Sequence, residues 1–187
     1  MLDYPKLLVL FLILSFPMLI NAQAELAGVE KEQFKLNILA APSLDYEMRL
    51  TNTTTLGLQL GTSLVALTNQ FDDDIKIDIA PAGQLYYRYY YNFDRREGKG
   101  KKTNHNSANY FSLISNLILA EPFFTPKDEL NLEHDTYLEF GAVYGLQRTF
   151  CDWLNVGGNV GLGYAFISSN RQEVVPMLSL NVGWIFN

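Results

Sequence analysis

Two histidines, one cysteine and a few clustered carboxylates are the residues of this chain that invite a search for polar chemistry. His134 lies in Glu133-His134-Asp135, and His105 lies in Asn104-His105-Asn106. A hydrolytic site needs a base beside a nucleophile and a third group that orients the base. Neither histidine sits in a motif that supplies those partners, so both read as solvated loop residues. Cys151 stands beside a tight turn and reads as a small packing residue rather than a nucleophile. Asp72-Asp73-Asp74, with Asp78, offers carboxylate oxygens of the kind that hold a divalent cation. The spacing is not that of an EF-hand, and the run reads as a solvated acidic loop. Gly157-Gly158-Asn159-Val160-Gly161-Leu162-Gly163 is rich in glycine, but its spacing fits neither phosphate-binding fingerprint and no helical pattern follows. Asn52-Thr53-Thr54 spells a glycosylation sequon, and a polar turn is sufficient to explain it. No catalytic, cofactor-binding or metal-binding residue is assigned, and no enzymatic activity is expected.

The remaining charges of interest share one register of alternating segments: Lys35, Asp45, Glu47, Arg49, Arg88 and Glu139. Buried in a narrow interior, an unpaired charge is costly. Mutual pairing is therefore expected, with Arg88 bonded to Glu139, to Glu47 or to both.

The segments that carry these residues show a period of two, in which successive side chains point to opposite faces of a strand. In Leu154 to Phe166 the even positions are Leu154, Val156, Gly158, Val160, Leu162, Tyr164 and Phe166, while the odd ones are asparagine, glycine and alanine. The same alternation runs through Thr54 to Leu64, Thr136 to Leu146 and Pro176 to Phe186. Gln84 to Phe93 is aromatic on both faces, and Ile114 and Ile118 blur the pattern in Tyr110 to Glu121. Phe34 to Leu50 holds two short alternating pieces around Ala41-Pro42-Ser43. Proline lacks the ladder N–H and fits a turn better than a strand interior. Two strands are read there, giving eight in total; one bent strand is the alternative. Connections are short at Thr51-Asn52-Thr53 and Cys151-Asp152-Trp153. They are longer at Ala66 to Asp78, Thr125 to Asp135 and Ile167 to Val175, and long and basic at Asp94 to Asn109.

The amino terminus has the form of an export signal. Leu7 to Ile20 is a run of 14 residues, apolar except for Ser15 and Pro17, too short to span a bilayer as a helix and right for a secretory signal core. Lys6 precedes it, with Asp3 weakening the positive start, and Ala22-Gln23-Ala24 is a small-x-small cleavage site. Cutting after Ala24 (or, alternatively, after Ala22) leaves a mature domain over 25–187, in which Glu25 to Gln33 reads as a frayed leader. No cysteine follows the run, which excludes a lipoprotein anchor.

Composition sharpens this picture. Charged residues are 18% of the 187, below the quarter usual for soluble domains, while aromatics reach 13%. The net charge of −6 argues against a nucleic-acid binder. One cysteine excludes an intrachain disulfide. A soluble barrel needs a charged outer face, whereas here the second face is Gly, Asn, Ser and Gln. A transmembrane barrel turns its apolar face to lipid and its polar face inward, with aromatic girdles at both interfaces. Tyr89, Tyr91, Phe93, Tyr164, Phe166, Trp184 and Phe186 suit such girdles. The expected fold is all-β, an antiparallel up-and-down transmembrane barrel of eight strands.

With its signal at Leu7 to Ala24, its repeated dyads and its terminal strand Pro176-Met-Leu-Ser-Leu-Asn-Val-Gly-Trp-Ile-Phe-Asn187, the chain resembles the small eight-stranded outer-membrane β-barrel proteins of Gram-negative bacteria, the class that includes OmpX-like proteins. That class typically ends in an aromatic residue; here Phe186 is penultimate. The resemblance covers the mature chain and is one of pattern. It implies location in the cell outer membrane, contact with its lipid, and handling by the barrel-assembly machinery. The expected function is a non-enzymatic structural or surface-interaction role through polar loops. The alternatives are a lipid- or lipopolysaccharide-modifying barrel enzyme and a periplasmic barrel binding a small apolar ligand. Both termini are expected in the periplasm, with the acidic loops outside and the basic stretch Arg95 to Lys102 inside.

Overall fold

The computed structural model describes residues 28–39, 41–68, 75–119, 123–124, 136–168 and 171–186. They form eight strands: β1 (Glu32–Asn37), β2 (Ser43–Thr51), β3 (Thr54–Thr68), β4 (Ile75–Tyr89), β5 (Asn109–Leu119), β6 (Thr136–Phe150), β7 (Leu154–Ser168) and β8 (Arg171–Phe186). Each pairs antiparallel with its chain neighbour, and β1 pairs with β8 to close an up-and-down barrel. The division of residues 34–50 into two strands is borne out: β1 and β2 pair from Glu32 opposite Met48 to Asn37 opposite Ser43.

The alternation sets the faces as the sequence requires. Leu58, Leu60, Leu85, Leu113, Phe140, Leu162, Leu178 and Leu180 are exposed on the outside. Lys35, Asp45, Glu47, Thr55, Arg88, Gln147 and Asn155 are buried on the inside. β5 is apolar on both faces, because Ile114 and Ile118 point inward against the lumen while Leu113 and Leu117 point out.

Several boundaries differ from the sequence expectation. Of the connection placed at residues 66–78, residues 66–68 belong to β3 and 75–78 to β4. Asp78 is therefore not in a solvated acidic loop: it lies in β4, buried, and its carboxylate accepts the amide of Phe124. Likewise, of the connection placed at 167–175, residues 167–168 belong to β7 and 171–175 to β8. The signal region, Asp72-Asp73-Asp74, His134 with its neighbours, Glu121 and Asn187 lie outside the described residues.

Register gives the barrel its width. Directly opposite residues lead from Phe34 through Tyr46, Leu58, Leu85, Ser115, Phe140 and Tyr164 to Val174 on β8. Yet β8 sets Phe186, twelve residues further on, opposite Phe34. The circuit closes with a stagger of twelve on eight strands. Strand tilt and stagger are linked in a closed barrel, and at fixed strand number a larger stagger means more tilt and a wider interior.

One end is closed by a folded cap. After β4 the chain forms a short helix α1 (Phe93–Glu97) and a 3-10 turn (Asn104–Asn106) before entering β5. Phe93 points into the cap, packed with Val29, Tyr90, Ala108 and Tyr110, and is not part of an aromatic girdle. The segment before β1 is not frayed over its described part: Val29 is fully buried, its amide donates to Asn52 O, and Glu30 Oε1 accepts the His105 amide. The basic connection is long because it builds this floor, alongside the tight turns after β2 and β6. Both described chain ends, at residues 28 and 186, lie at that floor end.

Candidate functional site in the barrel lumen

The lumen is filled in layers above the cap. The first is an ion network. Lys35 Nζ lies 3.0 Å from Asp45 and 3.1 Å from Glu47, and Arg88 Nη1 lies 3.2 Å from Glu47. All four groups are buried. Glu47 accepts further hydrogen bonds from Thr55 Oγ1 at 2.7 Å and Tyr90 Oη at 2.5 Å, and Asp45 accepts from Tyr86 Oη at 2.6 Å. The guanidinium of Arg88 stacks between two rings, 4.0 Å from the centre of Tyr86 and 4.5 Å from that of Tyr110. Two cations face two carboxylates, and the hydroxyls fill the remaining lone pairs. That is the condition under which buried charges are tolerated.

The expected partnership of Arg88 with Glu47 is present; that with Glu139 is not. Glu139 sits higher in the barrel, half-buried, and accepts from Asn116 Nδ2 at 3.0 Å. The difference is register: β4 and β2 bring Arg88 to Glu47 level, whereas Glu139 lies opposite Asn116, near the other end of β5 and β6. The tyrosines Tyr86, Tyr90 and Tyr110 were not singled out from sequence. Their signal was the alternation Tyr86, Arg88, Tyr90 on the inward register of β4.

His105 is not solvated. It is buried in the cap at φ 54°, its carbonyl accepting Gln147 Nε2. Cys151 is not packed either: it is exposed, and with Asp152, at φ 51° and 60°, it opens the three-residue turn between β6 and β7. Lys102 Nζ reaches Asp152 at 2.5 Å. That hydrogen bond, with the Lys102 charge, holds the Asp152 carboxyl below the usual carboxylate range. Residues 157–163 are strand, and no phosphate loop exists there.

Above the ion network comes an apolar layer of Tyr86, Ile114, Val143 and Met177. Beyond it the lumen opens into a cavity of about 330 Å³. Its walls carry Gln59, Gln84, Asn116, Glu139, Asn159 and Asn181, joined in part by a chain from Gln84 Nε2 to Asn116 Oδ1 at 2.7 Å and on to Glu139. Among the described residues no cluster of metal-ligating side chains occurs.

Fold and lumen together define a closed, up-and-down, eight-stranded β-barrel with a charged, plugged floor and an apolar exterior. No protein-family model, curated protein or solved structure matches the chain.

Proposed function

We propose that this chain is an integral outer-membrane barrel of a Gram-negative envelope, exported by a signal cleaved after Ala24. The role is non-enzymatic, structural or surface-interacting, and acts through the loops opposite the cap. The observation that carries this reading is the polarity of the barrel. Its exterior is a continuous apolar belt, including Leu162 at 65% exposed, Leu180 at 65% and Leu113 at 63%, whereas charge is buried within. A barrel in water has the reverse arrangement, and exposed apolar patches far smaller than this mark sites of association.

Aromatics band the belt. Near the floor, Trp153 and Trp184 lie with ring centres 4.6 Å apart, and Tyr91, Phe111 and Tyr144 form a cluster. Toward the other end, Phe140 packs edge-on against Phe166. Membrane lipid and, during biogenesis, the barrel-assembly machinery are the partners this reading implies; nucleic acid is not one. The buried floor network argues against conduction of large solutes.

The test is fractionation with gel analysis. The mature protein is expected in the outer-membrane fraction, to require detergent, and to migrate differently with and without boiling. A monodisperse, stable protein in plain buffer overturns the assignment.

A further inference from the structure

The barrel wall is not of even height. At the floor all eight strands end near one level. At the other end, the β1–β2 hairpin stops far short of its neighbours. Beyond its last rung with β2, Ser43 opposite Gly61, β3 runs on for residues 62–68. Beyond its last rung with β1, Asn37 opposite Gly183, β8 runs on for residues 171–182. Pro42 O still accepts the Thr62 amide, and Val182 O still accepts the Ile38 amide; above these bonds neither edge has a ladder partner among the described residues. A slot two strands wide is therefore cut into the side of the barrel, and the lumen cavity runs into it. The cavity is lined both by inward residues and by Thr62, Leu64, Leu178 and Leu180, whose side chains lie on the outer face. One cavity reaches both faces only where the wall is open. Leu178, at 76% exposed, stands at its rim.

We infer that this slot is a lateral binding site for a membrane amphiphile with an uncharged, hydroxyl-bearing head. Its acyl chain lies in the slot between Leu64 and Leu178, and its head occupies the amide-lined cavity. The inference rests on the membrane reading above. In that setting the slot falls within the apolar belt, level with Phe140 and Leu162. An open pair of sheet edges facing hydrocarbon is unfavourable unless something supplies hydrogen bonds. A head group with several hydroxyls does so, while its chain continues the apolar belt.

Two observations favour this occupant. Val182 directs its carbonyl toward β1, so by alternation Leu180, Leu178, Pro176 and Val174 turn their main-chain groups to the slot. Pro176 has no N–H to offer there, and proline on an edge obstructs the addition of another strand. The edge suits a small ligand better than a docking polypeptide. Within the cavity, Gln59, Gln84, Asn116, Asn159 and Asn181 offer donors and acceptors to hydroxyls, and Glu139 disfavours an anionic head.

The experiment places the photoreactive residue p-benzoylphenylalanine at Ser179, on the cavity wall, and in separate variants at Asn159, a second cavity position, and at Leu162 on the outer face. Each refolded barrel is irradiated in mixed micelles of equal dodecyl maltoside and dodecylphosphocholine, and the adducts are weighed by mass spectrometry. Adducts are expected at all three positions, with the maltoside-to-phosphocholine ratio at least threefold higher in the cavity than at Leu162. Adducts at Leu162 alone overturn the lateral site while leaving the membrane reading intact. Absence of adducts at Leu162 overturns the membrane reading itself. An equal ratio at all positions overturns the assigned head chemistry. Cross-linked barrel dimers from Ser179 overturn the site in favour of strand docking.

Discussion

Gly57 and Tyr86 sit directly opposite one another on β3 and β4, and a Cβ on Gly57 would stand 2.1 Å from Cζ of the tyrosine ring. The same relationship recurs between Gly145 on β6 and Tyr110 on β5, at 2.4 Å. Each glycine lets a ring lie flat along the inner wall, and the two rings thus held are those that clamp Arg88. Gly57→Ala is expected to lower the unfolding free energy by about 1–3 kcal/mol, the usual cost of overpacking. The loss should shrink when Tyr86→Ala is already present. Urea unfolding of the single and double variants in lipid checks this; additive losses would mean that the ring and the glycine act separately.

The two carboxylates that sequence placed as partners of Arg88 should differ sharply. Glu47→Gln leaves Arg88 facing a neutral group in a buried setting, with Lys35 held by Asp45 alone, a change of about 3–5 kcal/mol. Glu139→Gln alters a half-buried group bonded to one amide, and should cost less than about 1 kcal/mol. A double-mutant cycle should show coupling of Arg88→Gln with Glu47→Gln and additivity with Glu139→Gln.

The outer face predicts a second contrast. Leu162→Arg puts a charge on the exterior of β7 and should cost about 2–4 kcal/mol in a bilayer if the site lies near the midplane. Asn159→Ser, on the inner register of the same strand, should change little. Equal unfolding midpoints in lipid vesicles would mean that the exterior of β7 does not face hydrocarbon.

The cap gives a topological test. With eight strands, the cap, the short turns and both described ends share one side, which the proposed orientation makes periplasmic. Trypsin added to intact cells should spare Arg95, Arg96, Lys99, Lys101 and Lys102, and cut there only after the outer membrane is permeabilised. Cleavage on intact cells, with periplasmic controls protected, would invert the orientation.

The link between Lys102 and Asp152 makes a pH prediction. A carboxyl whose folded pKa is depressed contributes stability above its unfolded pKa, and that contribution is lost as pH falls through the folded value. Because both side chains are well exposed, at 40% and 70%, the effect on stability should be small. Carboxyl-selective NMR should show Asp152 titrating below an ordinary aspartate, and Lys102→Met should return it to the ordinary range.

What the sequence by itself determined is what depends on nearest neighbours. Alternation fixes which side chains share a face, so the greasy exterior, the polar lumen and the count of eight strands could be read from Leu154 to Phe166 and its counterparts. The split at Pro42 was legible because proline cannot continue the ladder. What only the tertiary structure decided depends on register between strands remote in sequence. Arg88, Glu47 and Glu139 all lie on inward registers, and nothing local tells which two meet. The twelve-residue stagger settles it, since each strand is offset along its neighbour before the ring closes. The cap escaped the sequence for a related reason: Val29, Phe93 and His105 gain their burial from strand ends that converge only on closure. The lateral slot is likewise a comparison of lengths, visible once β3 and β8 stand on either side of a hairpin that ends early.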